Sequence, residues 1–319
     1  MTDAKRRGLT LTALALLIAL PLVARQWDQL FYVSFASRIM IYAIAATSLN
    51  LILGYGGMLS FGHAAYLGAG AYTVAILMQE GVASAWIAWP AAMLISAVFA
   101  TAIGAICLRT RGVYFIMITL AFAQMMYYLF ISLRSYGGED GLTLTSRSVL
   151  GFGLDAKSDV TFYYVALALL AAIVFLLHRL AHARFGRVLE GIRENETRMQ
   201  AIGFATYRYQ LIAFAIAGAV AGLAGALLAN QNSFVSPALL HWSQSGTLMI
   251  MVILGGVGRL YGGVLGAAIY LILEEVLSAR TIHWQLGLGI VLLAVVLYAR
   301  GGIAASAMQL FTRRRSSGG

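Results

Sequence analysis

Polar side chains and glycines crowd one apolar run of this chain, from Leu49 to Tyr72. The run is apolar enough to lie in a bilayer, yet it carries Asn50, Ser60 and His63. Lipid tolerates irregular backbone and polar side chains only where protein or a water-filled cavity surrounds them. The run therefore predicts part of a path through a polytopic protein rather than a plain membrane anchor.

The polar side chains expected at membrane depth have two alternative roles. They can hydrogen-bond neighbouring helices, which contributes about 0.6 kcal/mol each on average, or they can line a substrate route. His63 is the best candidate for the route, because glycine on both sides permits an unwound or closely packed backbone. Both interpretations, structural core or substrate route, stay open for these polar residues and for the glycines among them. The full set is Asn50, Gly54, Gly57, Ser60, Gly62, His63 and Gln124.

Patterns typical of catalysis or metal binding are missing from the sequence. The glycine-rich stretch 255–263 lacks the Lys-Ser/Thr pair of a nucleotide-binding loop. His178 and His182 are spaced like zinc ligands, but Arg179 stands where a metalloprotease needs a glutamate. Cys107 is the only cysteine, so no disulfide forms within the chain. We therefore predict no catalytic, cofactor-binding or metal-binding residues; an intramembrane enzyme would have to be assembled from scattered polar residues.

The composition excludes an ordinary soluble domain. Hydrophobic residues make up 61% of the 319 residues and charged residues only 11%, whereas a soluble domain carries about a quarter charged residues. The formal net charge of +10 does not indicate nucleic-acid binding, because the basic residues stand between apolar spans. Membrane lipid is the expected surrounding, and no nucleic acid is expected as a partner.

Apolar stretches of about 20 residues, the length that crosses a bilayer, recur along the chain. The stretch 246–278 is too long for one ordinary span, and its glycine-rich centre divides it into two spans or a re-entrant hairpin. We predict an all-α polytopic membrane protein, a single transmembrane domain over residues 1–319 with about ten helices. The predicted spans are 8–25, 36–54, 58–78, 86–108, 113–133, 160–178, 209–229, 246–258, 262–278 and 284–300.

Basic residues predict the orientation, since cytoplasmic loops carry an excess of Lys and Arg. Residues 5–7 and 313–315 are basic, so both termini are expected in the cytoplasm, and ten crossings also place most of the 22 basic residues there. The first apolar stretch is similar to a secretory signal, but Leu22 lies where cleavage needs a small residue, which favours a retained helix. This order makes 134–159 an external loop and 179–208 a cytoplasmic loop.

Glycines are also spaced for helix contact. Small residues four apart let helix backbones approach closely in lipid, where no hydrophobic force drives association. We predict internal helix packing, rather than a subunit interface, at Gly218, Gly222, Gly225, Gly258, Gly262 and Gly266.

Three stretches carry a resemblance to a known family. The run from Leu49 to Tyr72 matches the pattern Asn-x-x-x-Gly-x-x-Gly-x-x-Ser-x-Gly-His-Ala, the stretch 191–229 contains Arg-Glu-Asn-Glu, and 253–267 reads ILGGVGRLYGGVLGA. Together with 110–125 they resemble the permease subunits of ATP-binding-cassette importers for branched-chain amino acids, specifically the longer of the two paired permeases. The likeness covers most of residues 40–300.

The sequence departs from the family pattern in two places. Arg259 and Gly263 replace a small hydroxyl residue and a proline, and Arg198 and Met199 stand where small residues are common. These departures leave the family assignment intact.

The resemblance implies a multi-subunit importer in the bacterial plasma (inner) membrane. It implies a second homologous permease, two cytoplasmic ATPase subunits that supply the energy, and an extracytoplasmic solute-binding protein. The loop 179–208 would insert into an ATPase cleft, with coupling residues Arg193, Glu194, Asn195, Glu196, Ala201 and Gly203. Two alternatives stay open: a stand-alone facilitator or secondary carrier of small polar solutes, and a permease for urea or short amides.

Overall fold

The computed structural model describes residues 17–21, 30–151, 158–259 and 261–298, and most of these residues are helical. In an apolar setting the backbone must satisfy its own hydrogen bonds, which favours helices. The α-helices are α1 (Leu30–Asn50), α2 (His63–Gln79), α3 (Ala85–Cys107), α4 (Val113–Ser132), α5 (Asp159–His182), α6 (Arg184–Glu194), α7 (Glu196–Ala201), α8 (Thr206–Asn232), α9 (Trp242–Gly255), α10 (Gly262–Ser278) and α11 (Trp284–Tyr298). Short strands β1 (Leu142–Thr143) and β2 (Phe234–Val235) pair antiparallel.

Within the described ranges, five helical stretches are long and apolar enough to cross a membrane: Phe31–Tyr55, α3, α4, α5 and α8. The helices α9 and α11 are shorter but also apolar. The predicted class, an all-α membrane protein, is confirmed at this level. The predicted span 8–25 lies mostly outside the described residues, and so do the last two residues of 284–300.

Helices α1 and α8 form the core of the bundle. In each of these helices we compare the most apolar window of 18 residues. The buried share of that window is 78% in Phe31–Tyr55 and 72% in α8, but only 28–39% in α3, α4 and α5. Helix α8 packs against α1, α2 and α3, while α1 also packs against α5, α9 and α10. The outer helices therefore keep a wide apolar face for lipid, and the two core helices keep a much smaller one.

Small residues explain the close packing of α8. A Cβ on Gly225 would overlap the carbonyl oxygen of Leu67 in α2, and a Cβ on Gly222 would overlap the side chain of Ser96 in α3. Gly218 lies in the same way against Ala100. The glycines thus set the distance between α8 and its neighbours.

Glycines also bring α9 and α10 together, although not all of those predicted to do so belong to helices. A Cβ on Gly266 would overlap the carbonyl oxygen of Met251, and one on Gly262 would overlap that of Gly256. Gly258 instead lies in the turn between the two helices, at φ 75°. Its predicted place in a helical ladder is wrong, because α9 already ends at Gly255.

The bounds of two predicted spans are also wrong. The span 36–54 begins earlier, at Leu30, and continues beyond Asn50 as a π-helix, Leu51–Tyr55. The span 58–78 becomes helical only at His63. The reason is the turn at 56–57, where Gly57 adopts φ 68°, a conformation that ends a right-handed helix.

The helices run between two distinct ends of the bundle. At the strand end, β1 and β2 pair, Arg147 contacts Asp159 at 2.6 Å, and Gln231 donates to the Ser34 carbonyl oxygen. At the arginine end, the helices α6 and α7 join α5 to α8. The arginine end is named for Arg109, Arg111, Arg193, Arg198, Arg208 and Arg259.

Candidate functional site

Two segments distant in the sequence are fastened together by Asn50, the last residue of α1. The Asn50 Nδ2 donates to the carbonyl oxygen of Arg259 at 2.7 Å, and its Oδ1 accepts from the Gly258 N–H at 2.9 Å. Gly54 leaves room for this approach, because a Cβ there would overlap both Asn50 Oδ1 and the Gly258 nitrogen. Asn50 therefore fixes the end of α1 to the turn between α9 and α10.

Arg193, near the end of α6, enters the same contact from the polar loop. Its Nη1 donates to the Gly54 carbonyl oxygen. A Cβ on Gly57 would lie 2.6 Å from the Arg193 Cγ, and one on Gly258 would lie 3.2 Å from its Nη1. The two glycines thus leave the space that the arginine occupies. We call Asn50, Gly54, Gly57, Arg193 and Gly258 the glycine–arginine junction.

The two loop helices are separated at Asn195. Its backbone is extended, with φ −159° and ψ 96°, and its Oδ1 accepts from the Arg198 N–H at 2.9 Å as the N-cap of α7. Glu194 and Arg198 form an ion pair at 3.7 Å with both side chains 65% exposed, and such surface pairs contribute little. Asn195 therefore determines the bend of the loop, while Glu194 projects into solvent.

Glu196 anchors the loop a second time. Its Oε1 lies 3.2 Å from Arg111 Nη2, in the segment between α3 and α4. The same oxygen accepts from Thr206 Oγ1 at 3.3 Å and from Gln200 Nε2 at 3.2 Å. The Glu196 side chain is only 23% exposed. Its contacts hold α7 against the start of α8 and against the segment between α3 and α4 that carries Arg111.

The turn after α7 is the most exposed part of the loop. Ala201 and Gly203 are both exposed, and Gly203 adopts φ 92° with nothing close to its Cβ position. Between and beside them, Ile202 is 63% and Phe204 37% exposed. This turn displays apolar side chains to the surroundings on a loop that is otherwise charged.

A cavity of about 390 Å³ opens at the arginine end, between the loop and the start of α4. Met58 and Leu59 line one side, Phe115 and Ile116 another, and the loop residues 192–196 close it. Both Arg193 and Glu196 therefore lie on the wall of one cavity, where a movement of the loop would change its shape.

The other polar residues of the Leu49–Tyr72 run lie inside the bundle. His63 is 0% exposed, and its Nε2 lies 2.7 Å from Ser48 Oγ. Ser60 Oγ accepts from the Gly62 N–H at 3.1 Å. Since α2 begins inside the bundle, its first amide groups need acceptors, and buried hydroxyls supply them.

Gln124 is separated from that group. It lies on α4, is half-buried, and its Oε1 has no hydrogen-bond partner among the described residues. The structure thus joins Asn50, Gly54 and Gly57 with Arg193, keeps Ser60, Gly62 and His63 at the start of α2, and places Gln124 apart.

Sequence reasoning missed several partners in these contacts. The sequence does not indicate that Arg111 pairs with Glu196, nor that the buried hydroxyls of Thr119 and Ser245 accept from the N–H groups of Phe61 and Ala64. The only signal for the hydroxyls is a lone Ser or Thr on the apolar face of a helix. Such a residue also bonds its own helix, as Thr119 does to Ile116.

The packed apolar helices and the anchored polar loop define a multi-pass helical membrane protein. A profile of the family described as branched-chain amino acid transport system / permease component matches residues 31–299. The chain belongs to this family.

Individual relatives agree with the family. The chain is 29% identical to the high-affinity branched-chain amino acid transport system permease protein LivM of Salmonella typhimurium, over 93% of this chain and 76% of the relative. The LivM protein of Escherichia coli K12 is similar at 29% identity over the same shares. The permease protein LivH of the same organism is 24% identical over 75% of this chain and 82% of its own length. No solved structure matches the chain significantly. The bacterial relatives and the apolar helices identify a multi-pass protein of the inner membrane.

Proposed function

We propose that the chain is the permease subunit of an ATP-binding-cassette importer that moves branched-chain amino acids into the cytoplasm. Separate subunits hydrolyse the ATP. The observation that carries the proposal is the glycine–arginine junction, in which the loop residue Arg193 is bonded to Gly54 between membrane helices. A loop fixed in this way can transmit a movement to the bundle. The substrate is supported by the printed names of the LivM and LivH relatives.

The complex we propose contains a second homologous permease, two cytoplasmic ATPase subunits and an extracytoplasmic solute-binding protein. Escherichia coli K12 has two relatives of this chain, LivM and LivH, and each is named as a permease protein of a high-affinity branched-chain amino acid transport system. These two names support the second permease. The ATPases are supported by the lack of a nucleotide-binding loop in this sequence. The strand end would face the binding protein.

We also propose ten crossings with both termini in the cytoplasm. Nine described helices, α1 to α5 and α8 to α11, pass between the two ends, although α9 begins inside the bundle. The short loop helices α6 and α7 are not counted. A first pass over 8–25 would complete ten. The many arginines of the arginine end support a cytoplasmic position for it.

The coupling surface in this proposal is the loop 179–208. The exposed turn with Ala201 and Gly203 would contact the ATPase, with Glu194 at its charged rim. Asn195 keeps α6 and α7 at a fixed bend, and Arg193 and Glu196 carry the movement into the bundle. The helix-packing glycines keep the bundle rigid enough to respond as a unit.

Reversal of one charge in this loop tests the coupling. Glu196→Lys would place a cation beside Arg111, which lies 3.2 Å from the carboxylate. We expect substrate-stimulated ATP hydrolysis by the reconstituted complex to fall about tenfold, because like charges at this distance repel. Glu196→Arg combined with Arg111→Glu should regain part of the activity. If the single reversal leaves stimulated hydrolysis intact, Glu196 has no coupling role.

A topology experiment tests the orientation. Ala201→Cys in a Cys107→Ala background is exposed at the arginine end, and Cys107 is the only native cysteine. We expect a membrane-impermeant thiol reagent to label it only after the cells are permeabilised. Labelling of intact cells would place the loop outside and overturn the importer proposal.

Transport assays separate the alternative functions. A stand-alone facilitator would give ATP-independent uptake in liposomes that hold only this chain. A permease for urea or short amides would need the partner subunits but would be indifferent to branched-chain amino acids. Among the polar residues expected at depth, Gln124 and His63 each keep one buried side-chain atom, Oε1 and Nδ1, without a hydrogen-bond partner among the described residues, and this observation favours a solute route within this chain.

A further inference from the structure

Arg38 is an exception among the charged residues of the bundle. It lies about 12 Å along α1 from Leu30, the first residue of that helix. Every other charged residue of the described membrane helices stands within four residues of a helix end. A charged side chain away from the helix ends is costly in a membrane and rare, and it indicates a functional site.

The side chain of Arg38 extends toward the strand end of the bundle. Helix α1 begins at that end, and the Cα–Cβ bonds of a helix tilt toward its first residue. Phe31 and Phe35 lie on the same stripe of α1 nearer the strand end, with their rings stacked 6.1 Å apart, and Phe31 is 60% exposed. Aromatic rings and snorkelling arginines are typical of the level where hydrocarbon meets lipid headgroups. The guanidinium therefore lies close to headgroup level.

Glu274 of α10 is the nearest opposite charge, but the two groups pair loosely. Helix α10 packs against α1 and ends at Ser278. The Arg38 Nη2 lies 3.8 Å from the Glu274 Oε1, which is too long for a hydrogen bond. The two side chains are 41% and 24% exposed. The ion pair is thus open to the surroundings at the groove between α1 and α10.

The guanidinium keeps donors that the protein does not use. The centre of the Tyr42 ring lies 5.9 Å from the Arg38 Cζ, and the Tyr42 side chain also hydrogen-bonds the guanidinium. Since a guanidinium has several N–H donors, most of them remain free for a further acceptor. Hydrocarbon offers none. A phosphate group accepts two parallel N–H bonds from an arginine, and lipid phosphates lie at the level that this side chain reaches.

The acidic side of the groove selects among phosphate-bearing headgroups. Glu275, which is half-buried, follows Glu274, so two carboxylates stand beside the single guanidinium of Arg38. A headgroup that carries only a phosphate would be repelled by them. A headgroup with a primary ammonium beside its phosphate matches both signs, because the ammonium can donate hydrogen bonds to a carboxylate.

We propose that the strand-end groove between α1 and α10 is a binding site for phosphatidylethanolamine. Arg38 holds the phosphate, Glu274 accepts from the ammonium, and Phe31 and Phe35 contact the upper part of an acyl chain. We call these residues, together with Glu275, the headgroup site. It lies at the opposite end of the bundle from the coupling loop, and it requires only that the bundle lies in a membrane, whether or not the chain is an importer subunit.

Competition between lipids tests the site. The full-length chain, purified with any subunits that accompany it, is incubated with equal amounts of phosphatidylethanolamine, phosphatidylglycerol and phosphatidylcholine that share the same acyl chains, and native mass spectrometry counts the lipids retained. We expect phosphatidylethanolamine to be retained roughly tenfold better, the size of one charged hydrogen bond. Phosphatidylglycerol has no ammonium, and the trimethylammonium of phosphatidylcholine has no N–H to donate.

Single variants separate the two halves of the site. Glu274→Gln should reduce the preference for phosphatidylethanolamine over phosphatidylglycerol to within about twofold, because only the ammonium contact is lost. Arg38→Gln should reduce retention of all three lipids roughly tenfold, because the phosphate contact is lost. The matched control is Arg134→Gln, which alters an exposed arginine at the same end of the bundle and should change nothing.

A double variant distinguishes a lipid site from an ion pair that only stabilises the fold. Arg38→Gln combined with Glu274→Gln leaves neither charge unpaired, so it should unfold at the parent's temperature yet lose the lipid preference. A preference that survives in the double variant would place the lipid elsewhere and overturn the site.

Two further outcomes are decisive. Equal retention of the three lipids by the parent would also overturn the site and leave the groove to a protein partner. ATP-driven uptake is measured separately: its absence with the lipid preference intact would contradict the importer function and leave the headgroup site standing.

Discussion

Replacing Arg193 by alanine is expected to remove most substrate-stimulated ATP hydrolysis and uptake while the complex still assembles. The substitution breaks the bond from Nη1 to the Gly54 carbonyl oxygen and empties the space beside Gly57. A hydrogen bond to a charged group contributes about 1.5–3 kcal/mol, which corresponds to a loss of roughly 10- to 100-fold in coupling. Stimulated hydrolysis in proteoliposomes and co-purification of the partner subunits measure the two effects.

Arg187→Ala is the matched control for this variant. Arg187 lies on the same helix and is exposed, and we expect it to leave coupling within twofold, about the size of a surface substitution. Gly57→Ala should reproduce part of the Arg193 defect, because its Cβ would displace the Arg193 Cγ. The double variant should then lose less than the two single losses combined, as expected for residues in contact. Strictly additive losses would show that the junction does not act as one unit.

The class of fold was accessible from the sequence because it depends on local composition. Twenty-residue apolar runs predict membrane helices wherever they occur, and α3, α4, α5 and α8 lie within a few residues of their predicted spans. The glycines of α8 were accessible for the same reason, since small residues four apart lie on one helix face. Both inferences use only neighbours in the chain.

The glycine–arginine junction was not accessible in this way. Asn50 and Arg259 are 209 residues apart, and Arg193 and Gly54 are 139 apart. Hydrophobic patterns carry no information about which turn meets which loop. The family resemblance grouped these residues as motifs but did not indicate that they touch. Residues 58–62 are nearly as apolar as the neighbouring membrane helices, so the sequence does not show that α2 begins only at His63. Their non-helical backbone is tolerable inside the bundle because buried hydroxyl groups accept hydrogen bonds from it.

Introduction of a side chain at Gly225 is expected to destabilise the bundle strongly. A Cβ there would overlap the Leu67 carbonyl oxygen and lie 3.0 Å from the Ala71 nitrogen. Neither neighbour is a flexible side chain, so α2 and α8 must move apart. Overpacking of a core costs about 1–3 kcal/mol, and we expect Gly225→Ala near the upper limit and Gly225→Val beyond it. The fraction of monodisperse protein left after heating in detergent measures the loss.

Gly289→Ala is the control, because this glycine is exposed on α11 and nothing lies within 4 Å of its Cβ position. Alanine favours a helix over glycine by up to about 1 kcal/mol, so this variant should be as stable as the parent or more so. Equal stability of Gly225→Ala and Gly289→Ala would mean that the spacing of α2 and α8 is not set by the glycine. The loop helices α6 and α7 lead directly into α8, and Arg193 lies on α6. Displacement of α8 should therefore weaken coupling through Arg193 even in protein that remains folded.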